Sequence, residues 1–432
     1  MPFDAILKPR RLGGCIQACR LVLNRSVSIV GAGMTRFHNK LHVDKTGREL
    51  FVEAALEAAG SVDNGFRFRD AGALFVGNFT SDVFEGQGHT AAVMADWLGI
   101  NPVPAYRIED ACASSGAALN LGAMAIASGM TDVVIVGGVE MMSRLTTDQV
   151  TDALALAADS SYETSVGFTF PSIYAAIASA YFKKYGAEWD QLAAVTIKNH
   201  RNGALNPKAQ FQSDIAAIAR KLGERDGRTF KDEMDFLRSD LNPTIASPLR
   251  LFDCCPVSDG AAAVILVADE VAWRYTDTPV KVAGMGQASD TIALHSRPDF
   301  TTLRAAVKAS EDAYKMAVAT PKDIQVADVH DCFTIAEVVA TEDLGFFPKG
   351  QGGRAAEEGR TALNGEFPIN PDGGLKAKGH PVGATGVAMA YEMFKQLRGQ
   401  AGKHQIQGAE TGLAHNVGAA GASVTVQIFR RG

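Results

Sequence analysis

The sequence predicts an α/β fold built from two copies of one βαβ unit, and three observations carry that expectation. Short apolar runs of strand character alternate with longer helical patterns. The phrase V-S-I-V-G-A-G at Val27 to Gly33 returns as V-K-V-A-G-M-G at Val280 to Gly286. In each copy a helix rich in small residues opens beside a reactive side chain, Cys112 in the first and His380 in the second.

The elements follow in order. Val27 to Gly33 reads as a strand entering a glycine turn; Gly31-Ala32-Gly33 is only a fragment of a dinucleotide fingerprint, because the next glycine and the acidic residue are missing at their spacings. Gly47 to Gly60 has a helical pattern, Ala73 to Val76 a strand pattern and His89 to Leu98 a helical one. After Cys112 the helix runs from about Ser114 to Ser128, and Val133 to Val136 form a continuous apolar run ending in Gly137-Gly138, as expected of a strand covered on both faces. From about Arg144 to Pro248 the strands stop, and Phe168, Phe170, Tyr174, Tyr181, Phe182 and Tyr185 thicken among amphipathic helices, the pattern of an insertion. Val264 to Val267 returns the chain to its sheet. In the second copy a helix from about Thr302 to Met316 answers Gly47 to Gly60, and Ala327 to Val329 answers Ala73 to Val76. G-H-P-V-G-A-T-G at Gly379 to Gly386 then opens the second small-residue helix, and Val424 to Phe429 is the last strand. The expected domains are an extension over 1–26, a first half over 27–275 carrying the insertion at about 144–248, and a second half over 276–432.

With 432 residues, 47% of them hydrophobic, the chain can bury a large core. A net charge of -6 argues against a nucleic-acid binder. Six cysteines in a chain this long make no disulfide framework and share no metal-ligand spacing with the nine histidines, so no metal and a reducing, cytoplasmic setting are expected. No apolar run approaches the roughly 20 residues of a membrane span. The first 25 residues are basic through Lys8, Arg10, Arg11, Arg20 and Arg25, and read as a dispensable extension or an upstream start codon, with a targeting peptide as the second reading.

Cys112 precedes its helix, so its sulfur is expected to face free N–H groups and the positive dipole end, which favours thiolate. On the residues alone, a small buried apolar side chain is the equal alternative. In a duplicated βαβ pair the two helix N-termini face one cleft, where Cys112 and His380 can meet. Out of context, His380 before a proline also reads as a helix-entry residue and Cys332 as core. Cys254-Cys255 before Pro256 reads as ordinary packing.

C-A-S-S-G around Cys112, H-D-C-F from His330 to Phe333, G-H-P-V-G-A-T-G around His380 and A-H-N-V-G from Ala414 to Gly418 together resemble the thiolase superfamily, from about Val27 to the C-terminus. The H-D-C-F box is similar to the sterol-carrier-protein and archaeal-type acetyl-CoA acetyltransferase branches, where many other thiolases carry N-E-A-F. The resemblance implies a thiolase fold, with duplicated halves whose mixed sheets lie in a layered α/β/α/β/α core under a lid insertion. It implies reversible Claisen condensation of acyl-CoA through an acyl-cysteine, with CoA thioesters as substrates and no resident cofactor. By the same resemblance Cys112 is the nucleophile, His380 its base, Cys332 the carrier of the α-proton in place of the second cysteine of the commoner C-x-G loop, and His330 part of an oxyanion hole. The backbone N–H groups of Cys112 and about Gly418 form the other hole. Lys198, Arg201 and Lys208 of the lid are candidates for the CoA phosphates and Ser247 for pantetheine. A homodimer or homotetramer is implied, without nucleic-acid or membrane partners. Two rivals stand beside this reading: a decarboxylating ketoacyl synthase using Cys112, His330 and His380, and a thiolase-like subunit that works with an acyl-CoA-binding partner protein.

Overall fold

The computed structural model describes residues 23–432. Its strands are β1 Val27–Met34, β2 Ala73–Gly77, β3 Ala105–Ile108, β4 Val133–Met141, β5 Thr244–Ala246, β6 Leu249–Arg250, β7 Asp259–Ala268, β8 Val280–Ser289, β9 Val326–Val329, β10 Thr411–Gly418 and β11 Ser423–Arg431. All but β5 and β6, which pair with each other, join one mixed sheet in the order β3-β2-β4-β7-β1-β8-β11-β10-β9.

The duplication is written in the pairing. In one half β2 and β4 are parallel and β4, β7 and β1 run antiparallel in turn; in the other β9 and β10 are parallel and β10, β11 and β8 run antiparallel in turn. Within the sheet the halves are joined by Ser28 opposite Lys281 and Ile29 opposite Val280. Every residue of β4 and β7 is buried, and each fully buried Val, Ile or Leu there contributes about 1.5–3 kcal/mol.

The repeated G-x-G phrase serves helix packing. A methyl group on Gly33 would overlap Ala54 and Ala58 of the Gly47–Gly60 helix, and one on Gly286 would overlap Ala309 of the Arg304–Ala317 helix. Both strands therefore need bare backbone under their covering helix. Between the halves, the Ser114–Ala127 and Thr385–Leu397 helices pack on each other and on strands of both halves of the sheet. Their close approach depends on glycine as well, since a methyl on Gly386 would overlap the backbone nitrogen of Gly116.

β3 is an element that the sequence pattern did not suggest. Its four residues A-Y-R-I are half exposed at the sheet edge and carry an arginine, so no apolar run marks it. Residues 144–248 form the helices Thr147–Ala155, Phe170–Tyr185, Trp189–Gly203, Ile215–Asp226 and Glu233–Arg238, followed by the β5–β6 hairpin. Most of the expected extension lies outside the described residues; at its end Leu23 packs against the core and Arg25 pairs with Asp132 at 2.7 Å and Glu270 at 3.2 Å. Among the described residues no helix is long and apolar enough to cross a membrane.

Candidate active site

Cys112 stands in the short link between β3 and the Ser114–Ala127 helix, next to Ala111 at φ 48°. A non-glycine residue in the left-handed region costs about 1 kcal/mol or more, and strain of this kind gathers at functional turns. The turn is tied by Ala113 N–H to Asp110 O at 2.9 Å and by Asp110 N–H to the Ser114 hydroxyl at 3.0 Å.

His330 and Cys332 follow β9, and His380 lies in the loop before the Thr385–Leu397 helix. Cys112 Sγ and one ring nitrogen from each of His330 and His380 lie within 4.8 Å of one another. The two imidazoles meet edge to face, their centres 5.0 Å apart.

Their hydrogen bonds fix opposite tautomers. The Thr385 hydroxyl donates its one hydrogen to Pro381 O at 3.0 Å, so its oxygen accepts from His380 Nδ1 at 2.7 Å. His380 Nε2 is left with a free lone pair. The Asn416 amide nitrogen donates to Cys112 O at 2.9 Å and, 3.2 Å from His330 Nδ1, donates there too. His330 therefore carries its hydrogen on Nε2, which is buried without a protein partner. One ring offers a base and the other an N–H.

Cys112, His330 and His380 also converge as three ligands of a tetrahedral metal would. The His330 tautomer does not fit that use, because Nδ1 is occupied by Asn416 and Nε2 holds the hydrogen.

Burial works against the expected resting thiolate. It pushes the Cys112 thiol up to about 12, outweighing the N–H groups of Ala419 and of Cys112 itself. The backbone donor aimed at the sulfur is thus Ala419, one residue beyond the expected Gly418. Ala419 holds φ 54° after β10, and Gly418 instead leaves room for Ser423 and Asp110, which a methyl group there would overlap or crowd. Burial and then Lys378 hold the His380 ring down to about 3, so the imidazole is neutral. Burial first, then His380 and His415, push His330 well below its usual value.

Several buried groups act as struts. Asp331 accepts from Leu375 N–H at 2.6 Å and Asn199 Nδ2 at 2.7 Å, which anchors the H-D-C-F turn. Lys378 is paired in the core with Asp372 and with Asp328 at 3.3 Å, just before His380, whose N–H donates to the Ser258 hydroxyl at 3.0 Å. Glu140 accepts from Phe79 N–H at 2.8 Å and Gly383 N–H at 3.1 Å, joining a wall of the first half to the His380 loop. None of these struts except the H-D-C-F aspartate sits in a motif singled out from the sequence.

A cavity of about 170 Å³ collects Cys112, Cys332 and His380 on one side and Val150, Leu154 and Tyr174 on the other. Neither His330 nor His415 is among its lining residues; His415 Nδ1 accepts from the backbone N–H of His330 at 3.4 Å. Cys254 and Cys255 do more than pack in the core, since they line both this cavity and an adjoining groove of about 570 Å³ that carries Lys221 and Arg225.

The expected CoA contacts are corrected by their surroundings. Lys198 is buried, pairs with Glu337 at 2.9 Å and donates to Ile369 O at 2.8 Å. Lys208 is held by Glu57 and Met34 O, both at 2.6 Å. Arg201 is exposed beside Glu233 in a separate surface groove, and Ser247 is exposed on the β5–β6 turn; neither lines the cavity or the groove beside it.

The chain is similar over most of its length to known proteins. The chain is 46% identical over 409 residues to acetyl-CoA acetyltransferase of Methanothermobacter thermautotrophicus, covering 94% of this chain and 100% of the relative. It is 30% identical over 425 residues to human sterol carrier protein 2, covering 94% and 72%. Among solved structures, an Ltp2-ChsH2(DUF35) aldolase shares the fold with a TM-score of 0.78 at 23% identity, covering 95% of this chain and 99% of that one. The family descriptions "Thiolase, N-terminal domain" and "Thiolase C-terminal domain-like" match residues 27–270 and 286–431, and the chain belongs to the thiolase family.

Proposed function

We propose that this thiolase condenses two molecules of acetyl-CoA, or runs the reverse cleavage, with Cys112 as nucleophile, His380 as its base, Cys332 as carrier of the α-proton and His330 as donor to the enolate oxygen. The observation that carries the reading is the pair of opposite histidine tautomers over the Cys112 sulfur. One supplies a lone pair where a thiol must lose its proton; the other supplies an N–H where negative charge develops.

The steps balance as follows. His380 Nε2 takes the Cys112 proton, the thiolate attacks the first thioester, and the N–H groups of Cys112 and Ala419 receive the oxyanion. The departing CoA thiolate takes the proton of Cys332. The Cys332 thiolate then removes an α-proton from the second acetyl-CoA, and the enolate carbon attacks the acyl-Cys112 carbonyl. Collapse releases acetoacetyl-CoA, and Cys112 recovers its proton from His380.

In this reading CoA lies along the groove that shares Cys254 and Cys255 with the cavity, its phosphates near Lys221 and Arg225. The four described cysteines are free, which suits a reducing, cytoplasmic setting. Incubation of the purified protein with acetyl-CoA tests the reading. Equal amounts of free CoA and acetoacetyl-CoA are expected; release of CoA without acetoacetyl-CoA, or carbon dioxide release from malonyl-CoA instead, would reject it.

A further inference from the structure

Among the described residues Lys198, Lys376 and Lys378 are buried, and one of them has no counter-charge. Lys198 pairs with Glu337, and Lys378 with Asp372 and Asp328. Lys376, 1% exposed on the short Gly374–Ala377 helix, has no carboxylate within 4.0 Å among the described residues. Its ammonium carries three hydrogens. One goes to Cys254 O at 2.7 Å, and no other acceptor among the described residues takes either of the rest. A buried charge left in this way is costly unless something completes its hydrogen bonds.

The position of the ammonium indicates what completes them. Cys254 lines both the catalytic cavity and the adjoining groove, and Lys376 lines that groove. The neighbouring Cys255 N–H donates to Cys332 O at 2.9 Å, which holds this stretch of backbone against the H-D-C-F turn. Lys376 therefore stands where groove and cavity meet, while Lys221 and Arg225 occupy the exposed side of the groove. A CoA thioester with its phosphates at Lys221 and Arg225 and its acyl carbon at Cys112 must pass its pantetheine arm by this junction. Only two methylenes and a nitrogen separate the thioester sulfur from the first amide carbonyl, whose oxygen accepts well from a cation.

We propose that Lys376 is a substrate-binding residue whose free N–H groups hold the pantetheine amide carbonyl nearest the thioester. The carbonyl completes the hydrogen bonds of the buried ammonium, and no proton is transferred. The inference rests on the CoA path through this groove, so Lys376→Met is measured beside Lys221→Glu with Arg225→Glu.

Lys376→Met keeps an unbranched side chain and removes the donors. KM for acetyl-CoA, followed by CoA release, should rise by about 10- to 100-fold, the weight of a hydrogen bond to a charged group. The value of kcat should change little, because the amide is bound alike before and during the reaction. S-acetylpantetheine, which has the amides without the phosphates, should show the same loss, and S-pentyl thioacetate, which has neither, should react alike with both proteins. An unmoved KM for acetyl-CoA overturns the proposal. So does a loss that vanishes with S-acetylpantetheine, which would place Lys376 on the phosphates, or one that persists with S-pentyl thioacetate, which would mean a damaged cavity. Where Lys376→Met does not accumulate as folded protein, Lys376→Gln, which keeps a donor for Cys254 O, is held to the same outcomes. If neither Lys376→Met nor Lys221→Glu with Arg225→Glu raises KM, the path through the groove is defeated; if only the latter does, this inference alone fails.

Discussion

The Asn416 amide donates to His330 Nδ1 at 3.2 Å, and that bond decides which nitrogen of the imidazole carries the hydrogen. A carboxylate at 416 can only accept, so Asn416→Asp should draw the His330 hydrogen to Nδ1 and leave Nε2 without one. Loss of one oxyanion donor lowers turnover by about 10²- to 10³-fold. We expect that loss in methyl-proton exchange and condensation, measured by deuterium incorporation and acetoacetyl-CoA formation, with a smaller loss in acetylation of Cys112.

Thr385 does the corresponding work for His380. Thr385→Val keeps the shape but removes the oxygen that accepts from Nδ1, so the ring is free to protonate Nε2 and lose its base. Groups that orient a reactive imidazole in this way typically contribute about 10- to 100-fold. Acetylation of Cys112, followed by peptide mass spectrometry in rapid-quench samples, should slow by that factor.

Much of this candidate site was legible because the residues that the structure brings together sit in short, rigid phrases. Cys112 and His380 each stand where the chain enters a small-residue helix, and glycines at 116 and 386 let the two helix ends approach. What the sequence hid was set by burial and by backbone torsion. Enclosure raises the Cys112 thiol against the helix end, and φ at Ala419 selects the peptide that points at the sulfur. Lysines gave the weakest signal: Lys198 and Lys208 have carboxylate partners on other elements, Glu337 and Glu57, that no spacing along the chain announces. β3 escaped because its partly exposed residues, an arginine among them, make no apolar run.

Buried neutral histidines set an acid limit on stability. Burial lowers His200, His380 and His415 to about 3 and lowers His330 as well. An unfolded histidine titrates near about 6.5. Because the folded values lie below the unfolded one, this stability is present above about pH 6.5 and is lost as pH falls toward 3, by about 1.4 kcal/mol per pH unit for each ring. Glu140, raised to about 8 by burial, acts in the opposite sense, losing stability as pH rises from about 4.5 to 8. The histidines alone give a melting temperature that falls below about pH 6, and the buried acids Glu140, Asp331 and Asp343, raised to about 8, 7 and 6, oppose that fall. His200→Phe, which keeps the stack on Phe211, should flatten that fall without changing the acetylation rate.

The proposed path for CoA makes a separate prediction. Lys221 and Arg225 line the groove that meets the cavity at Cys254 and Cys255, whereas Lys208 is occupied by Glu57. An exposed pair between a lysine or arginine and a phosphate is worth about 0.5–1 kcal/mol, so replacing both with glutamate, which adds repulsion, should raise KM for acetyl-CoA by about five- to thirtyfold. The value of kcat should hardly move, because these groups contact a part of the substrate that does not change during the reaction. The effect should shrink as salt rises, since exposed charges are screened. Lys208→Ala should leave KM alone and lower the melting temperature slightly through the unpaired Glu57. If Lys208→Ala raises KM while Lys221→Glu with Arg225→Glu does not, CoA enters by the other face of the insertion.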